Sequence, residues 1–172
     1  ITPMKEHQRY FPVLDADGKL LNKFITVRNG DSYAIDNVKR GNEKVLDARL
    51  SDALFFYHED TKKPLEAYVE RLDTIVFQQK LGTILDKTKR IQKLSEKIAK
   101  ALALTLPNLD RAAYLSKADL TTAMVFEFTE LQGLMGYYYA NAAGKDALFA
   151  LSLKEQYLPN SEESALPSTL FS

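Results

Sequence analysis

The 172-residue chain has no cysteine and only two histidines, His7 and His58, and its 23 Lys and Arg are balanced by 23 Asp and Glu. Without cysteine there is no disulfide framework, no thiol nucleophile and no thiolate metal site. Two histidines are too few for any metal centre that needs three. Zero net charge removes the whole-domain footprint of a nucleic-acid binder and leaves room only for a local patch. No apolar run approaches the ~20 residues of a membrane span, and no charged-then-apolar leader follows Ile1. The expectation is a cytoplasmic piece of a longer parent, with neither signal peptide nor membrane anchor. Hydrophobic residues make up 45% and charged residues 27%, which argues against wholesale disorder. The length suits one domain, or one domain and part of another.

The pattern changes character near residue 40. Before it, two β-rich runs, Arg9 to Leu14 and Leu20 to Val27, flank Asp15-Ala16-Asp17-Gly18. Aromatic and β-branched residues around an Asp/Gly turn predict a hairpin, with Pro12 marking an edge strand or a bulge. A lone hairpin is marginal in water, so it must lean on something else. After residue 40 the period is helical. Leu46, Leu50, Ala53, Leu54 and Tyr57 recur at three and four. Pro64 suits the first turn of a helix that carries Leu65, Val69, Leu72, Ile75 and Val76. A long pattern from Leu81 to Leu102 follows, which Pro107 ends, and a fourth helix is expected from Leu109 to about Val125. Thr129-Glu130-Leu131-Gln132 has capping-box spacing, so a helix should open there and close before Gly144. Residues 145–158 predict a last amphipathic helix, and Pro159 to Ser172 a loop.

Chemical motifs are sparse. Asp15-Ala16-Asp17-Gly18 fails as a calcium loop, because position twelve is Thr26 rather than an acid. His58-Glu59-Asp60 is the densest group of metal-ligand types, but a bundle hydrolase needs several histidines, and His7 sits on the hairpin side. An acidic helix end is the favoured reading. No Gly-x-Ser-x-Gly elbow exists, and Gly133 and Gly136 fall inside a helical pattern, where small residues serve close packing. Tyr137, Tyr138 and Tyr139 point three ways around a helix and form no single stacking platform. One charge feature survives. From Lys80 to Lys100 seven cations face two anions, a local +5, while residues 127–172 carry −4. Lys89, Arg90, Lys93, Lys97 and Lys100 fall within an arc of about 100° opposite the Leu/Ile face. Such a face is either simply solvated or a row of phosphate contacts.

Several runs resemble the beta chains of bacterial heterotetrameric glycyl-tRNA synthetases. They are Phe77 to Lys87, Lys117-Ala118-Asp119-Leu120 and Glu127 to Gly136, supported by Arg9 to Val13, Gly41 to Leu46 and Ala48 to Ala53. The resemblance covers about residues 9 to 159. Phe126 stands where the family pattern has Gly, and Thr129 where it has Pro.

The resemblance implies a mainly α fold, an HD-domain-like helical bundle with a short N-terminal β-hairpin from the preceding domain. It assigns residues 1–40 to the tail of an upstream synthetase module, 41–159 to the HD-like domain and 160–172 to a linker. The whole enzyme would pair two alpha with two beta chains and join glycine to its tRNA. ATP and magnesium would act at the alpha-chain class II site, and this fragment would hold no cofactor. Where an HD hydrolase carries adjacent His-Asp, Lys117-Ala118 aligns, followed by Asp119, so the fold would be kept without its metal. The fragment is expected to be inactive alone, with the alpha chain, tRNA and the rest of the beta chain as partners and no membrane. Arg90, Lys93, Lys97 and Lys100 are the expected tRNA-phosphate contacts, with Lys80, Lys87 and Lys117 next. The rivals are a purely structural connector and a metal-dependent HD phosphohydrolase.

Overall fold

A computed structural model describes residues 1–170 and 172. The chain forms two compact units, Ile1–Phe56 and Tyr57–Ser172. In the first, strands β1 (Phe11–Leu14) and β2 (Leu20–Ile25) pair antiparallel, Phe11 opposite Ile25 and Pro12 opposite Phe24, with an irregularity between Pro12 and Leu14. That irregularity sits where proline, lacking an N–H, interrupts the ladder. The turn is built by Asp15, whose Oδ1 accepts the N–H groups of Asp17 at 3.0 Å and Lys19 at 2.8 Å. Gly18 supplies the left-handed residue at φ +77°. The hairpin leans on Met4, Tyr10 and Leu46, the last from helix α1 (Ile35–Thr61). Tyr10 stacks on Phe24 at 4.9 Å, and its hydroxyl donates to Asn42 at 3.1 Å. Of the expected α1 face, Leu46 is buried, but Leu50 and Leu54 are exposed.

The second unit holds most of the helices, and the fold is mainly α. Helix α2 (Glu66–Val69) tightens into a 3-10 turn, Glu70–Thr74. Ile75 and Val76 do not continue that helix, contrary to the sequence reading. Ile75 is extended and β3 (Val76–Gln78) pairs antiparallel with β4 (Gly82–Thr83). A run of β-branched and aromatic residues ahead of Gly82, which adopts φ +83°, prefers a small hairpin. Thr83 then caps α3 (Ile84–Ala101) in a reciprocal box: Thr83 Oγ1 accepts Asp86 N–H at 3.2 Å, and Asp86 Oδ2 accepts Thr83 N–H at 3.0 Å. The helix stops at Ala101, ahead of Pro107.

The expected helix from 109 to 125 is three pieces: α4 (Leu109–Leu115), a 3-10 turn at Ala118–Thr121 and α5 (Ala123–Glu127). The break has local causes, since Ser116 and Thr122 hydroxyls bond Ala113 and Asp119 carbonyls and compete with the helical ladder. Thr129 opens only a 3-10 turn, Thr129–Leu131; α6 (Leu134–Ala142) starts five residues later. Gly133 at its N-terminus has φ +77°, and a Cβ there would lie 2.9 Å from the Tyr157 ring. Gly144 terminates that helical segment at φ +65°, as the sequence suggested. Helix α7 (Ala147–Glu155) is capped by Asp146, and the remainder has no further helix or strand among the described residues. Val69, Leu72, Leu115, Phe128 and Leu153 are the fully buried centre of this unit. Among the described residues no helix is long and apolar enough to cross a membrane.

Candidate functional site

The amphipathic period of α3 turns Thr88 and Ala99 inward and leaves Lys89, Arg90, Lys93, Lys97 and Lys100 exposed on the other side. Arg90 and Lys100 are ten positions apart, about 15 Å along the axis. Arg90 is partly committed, because its Nη1 donates to Leu81 O at 2.9 Å and ties the β3–β4 loop to α3. Among the described residues Lys89, Lys93, Lys97 and Lys100 form no close ion pair, though the Asp86 carboxylate on the same helix feels the charges of Lys89 and Arg90.

The other three expected cations sit differently. Lys80 is exposed in the β3–β4 turn. Lys87 lies half-buried on α3, with Nζ 4.1 Å from the Phe77 ring centre. Lys117 is 8% exposed, and its Nζ lies 3.9 Å from the centre of the Tyr157 ring. Burial, then the charge of Lys87, lowers the Lys117 ammonium to about 8, with Asp119 pulling the other way. The structure therefore gathers Arg90, Lys93, Lys97 and Lys100 on one surface and turns Lys117 inward.

Two buried carboxylates organise the region, and the sequence reading missed both roles. Asp119 Oδ2 accepts the N–H groups of Gly133 at 2.5 Å and Gly136 at 3.1 Å, capping α6 from fourteen residues upstream. Its Oδ1 has no hydrogen-bond partner among the described residues. Burial pushes the Asp119 carboxyl up to about 6, against the two amide bonds and the Lys117 charge. A Cβ at Gly136 would lie 3.4 Å from Asp119 Oδ2, in ordinary contact with it.

Asp60, read from sequence as part of an acidic helix end, is 4% exposed. It accepts Ala123 N–H at 2.8 Å, Met124 N–H at 2.9 Å and the Tyr139 hydroxyl at 2.7 Å. Burial, with the bond to Asp60 next, raises the Tyr139 hydroxyl beyond its ordinary range. His58 stays exposed beside Tyr57, with the two rings 6.0 Å apart. Among the described residues no group of three or more His, Cys, Asp or Glu side chains could hold a metal ion. Asp119 could have been suspected from Lys117-Ala118-Asp119-Leu120, whereas nothing local marks Asp60.

These features define a mainly helical module: buried carboxylates fix the helix junctions, and one cationic helix face is presented outward. The chain matches, over residues 1–172, the family described as glycyl-tRNA synthetase beta subunit. It is 61% identical over 171 residues to the glycine–tRNA ligase beta subunit of Clostridioides difficile. It is 54% identical over 172 residues to that of Bacillus subtilis and 50% over 170 residues to that of Pseudomonas aeruginosa. Each alignment covers 98–99% of this chain and 25% of the relative, so the chain spans about a quarter of the length of these proteins. The chain belongs to the glycyl-tRNA synthetase beta subunit family.

Proposed function

We propose that this chain serves, as part of a glycine–tRNA ligase, in the ATP-dependent joining of glycine to tRNA. It would support tRNA binding and assembly without itself performing chemistry. The catalytic site, with its ATP and magnesium, would lie on the alpha chain of a heterotetramer, working in the cytoplasm. In this reading residues 1–40 close an upstream module, 41–159 form an HD-like helical domain that dispenses with a metal, and 160–172 lead onward. The observation that carries the proposal is the exposed row Lys93, Lys97 and Lys100 on α3, none of them in an ion pair among the described residues, continued by Arg90. Exposed cations along one rigid rod suit a phosphate backbone, which is read by charge and spacing rather than by base identity.

Lys93→Gln/Lys97→Gln in the intact beta chain, assembled with its alpha chain, tests this. Both side chains are exposed, so folding should be untouched while tRNA affinity falls roughly ten-fold or more at low salt. Unchanged affinity and unchanged glycylation would sink the phosphate role. A second reading, a structural connector, draws on Arg90, whose bond to Leu81 serves the fold. Footprinting of tRNA on the enzyme separates the two, since a connector leaves this unit outside the protected contacts.

A further inference from the structure

A groove of about 400 Å³ lies between α3, α4 and α7. Ile98, Leu102 and Leu104 line it and yet remain 49%, 62% and 37% exposed. The hydroxyls in its wall are committed to helix carbonyls, Ser95 to Ile91, Ser116 to Ala113 and Ser152 to Phe149. Lys117, in the same wall, lies against the Tyr157 ring and in the field of the Asp119 carboxylate, so the groove calls for no charged partner. What it lacks is hydrocarbon to cover its leucine and isoleucine side chains.

The stretch after α7 leads back to that groove. The Glu155 carboxylate, at the end of α7, accepts the Ser168 N–H and the Ser168 hydroxyl, each at 2.8 Å, and the Ser172 hydroxyl at 3.3 Å. It also accepts the Thr169 N–H. Ser172 N–H in turn donates to Thr169 O at 3.3 Å. A proline at 167, two successive N–H groups taken by a carboxylate and a backbone bond closing behind them are the marks of a helix start. Leu170 and Ser172 stand on the groove wall, but Leu170 is 72% exposed and leaves the groove open. We propose that the polypeptide following Ser172 in the intact beta chain continues this turn as an amphipathic helix, whose apolar stripe fills the groove over Ile98, Leu102 and Leu104. The relatives are about four times as long as this chain, so the beta chain has the length for it. A segment tethered at the groove wall has a local concentration on the order of millimolar, which favours it over any separate chain. The inference rests on the reading that residues 160–172 lead onward and uses no phosphate contact.

The test is disulfide trapping in the intact beta chain assembled with its alpha chain, without tRNA, so that a failed phosphate reading leaves its outcome unchanged. Ile98→Cys or Leu102→Cys, both at exposed positions, serves as the anchor. A second cysteine is placed in turn at each of about twelve positions after Ser172, roughly three helical turns. Copper-phenanthroline with oxygen oxidises the two thiols to a disulfide, and the joined peptides are mapped by mass spectrometry. The expected coupling recurs every three or four positions, at least ten-fold above the positions between. Uniform coupling along the segment, recurrence at every second position, or none from either anchor overturns the proposal. So does joining of the anchors instead to a distant stretch of the beta chain, to the alpha chain or to a second beta chain.

Discussion

Asp119 is held by contradictory demands. Its burial favours the protonated acid, while the Gly133 and Gly136 amides favour the carboxylate, and burial prevails, bringing the group to about 6. Its ordinary value is 3.8, so between those two pH values the folded protein keeps a proton that the unfolded chain has lost. Stability contributed by this residue is therefore complete below about 3.8 and is lost as pH rises through about 6. A shift of that size corresponds to ~3 kcal/mol at most. Asp119→Asn keeps an acceptor for the two amides and removes the titration. In the intact beta chain, hydrogen exchange over residues 119–140 should quicken from pH 4 to 6.5 beyond its intrinsic pH dependence in the parent. The variant should lack that excess, and an equal excess in both would refute the assignment.

At the scale of elements, the helix breaks are the informative part. Carboxylates distant in sequence brace two helix starts: Asp60 accepts N–H groups of α5 beside the local Thr122 cap, and Asp119 accepts those of Gly133 and Gly136 at the start of α6. Asp60 also receives the Tyr139 hydroxyl from α6, so one side chain of α1 joins α5 and α6. Asp60→Ala would strand two amides and a hydroxyl, each worth about 1–3 kcal/mol when buried and unsatisfied. The expected loss is several kcal/mol, read as faster hydrogen exchange over residues 123–142. Tyr139→Phe leaves Asp60 its two amides and should cost only about 1 kcal/mol. Equal losses from the two variants would show that Asp60 does not cap α5. The α3 amphipathic pattern, the hairpin turn at Asp15–Gly18 and the Gly144 stop were all legible, because each depends on residues within a few positions of one another. The β3–β4 hairpin was misread as helix because Leu65, Val69, Leu72, Ile75 and Val76 also fit a spacing of three and four. Periodicity cannot separate the two over so short a run.

For the molecule as a whole, zero net charge conceals a cationic stretch from Lys80 to Lys100 and an acidic region over residues 127–172. If the cationic face meets phosphates, each lost contact removes released counterions. The slope of log affinity against log salt should then shrink by about one for each of Lys93→Gln, Lys97→Gln and Lys100→Gln. A slope unchanged in all three variants would place the tRNA elsewhere on the enzyme. Lys117→Met should leave that slope alone, because its ammonium lies within the unit rather than on the α3 surface.

By itself the sequence determined the helical class, the N-terminal hairpin, the cationic face of α3 and the family, since all are written in local spacing and in residue runs. Scarcity of histidine and cysteine likewise set limits on metal chemistry before any fold was known. Only the tertiary structure decided that Lys117 points inward and that Asp60 and Asp119 are buried caps. The physical reason is distance along the chain: those carboxylates meet backbone amides between 14 and 64 residues away. Burial, which alters what a charged side chain can do, exists only once separate segments have packed together.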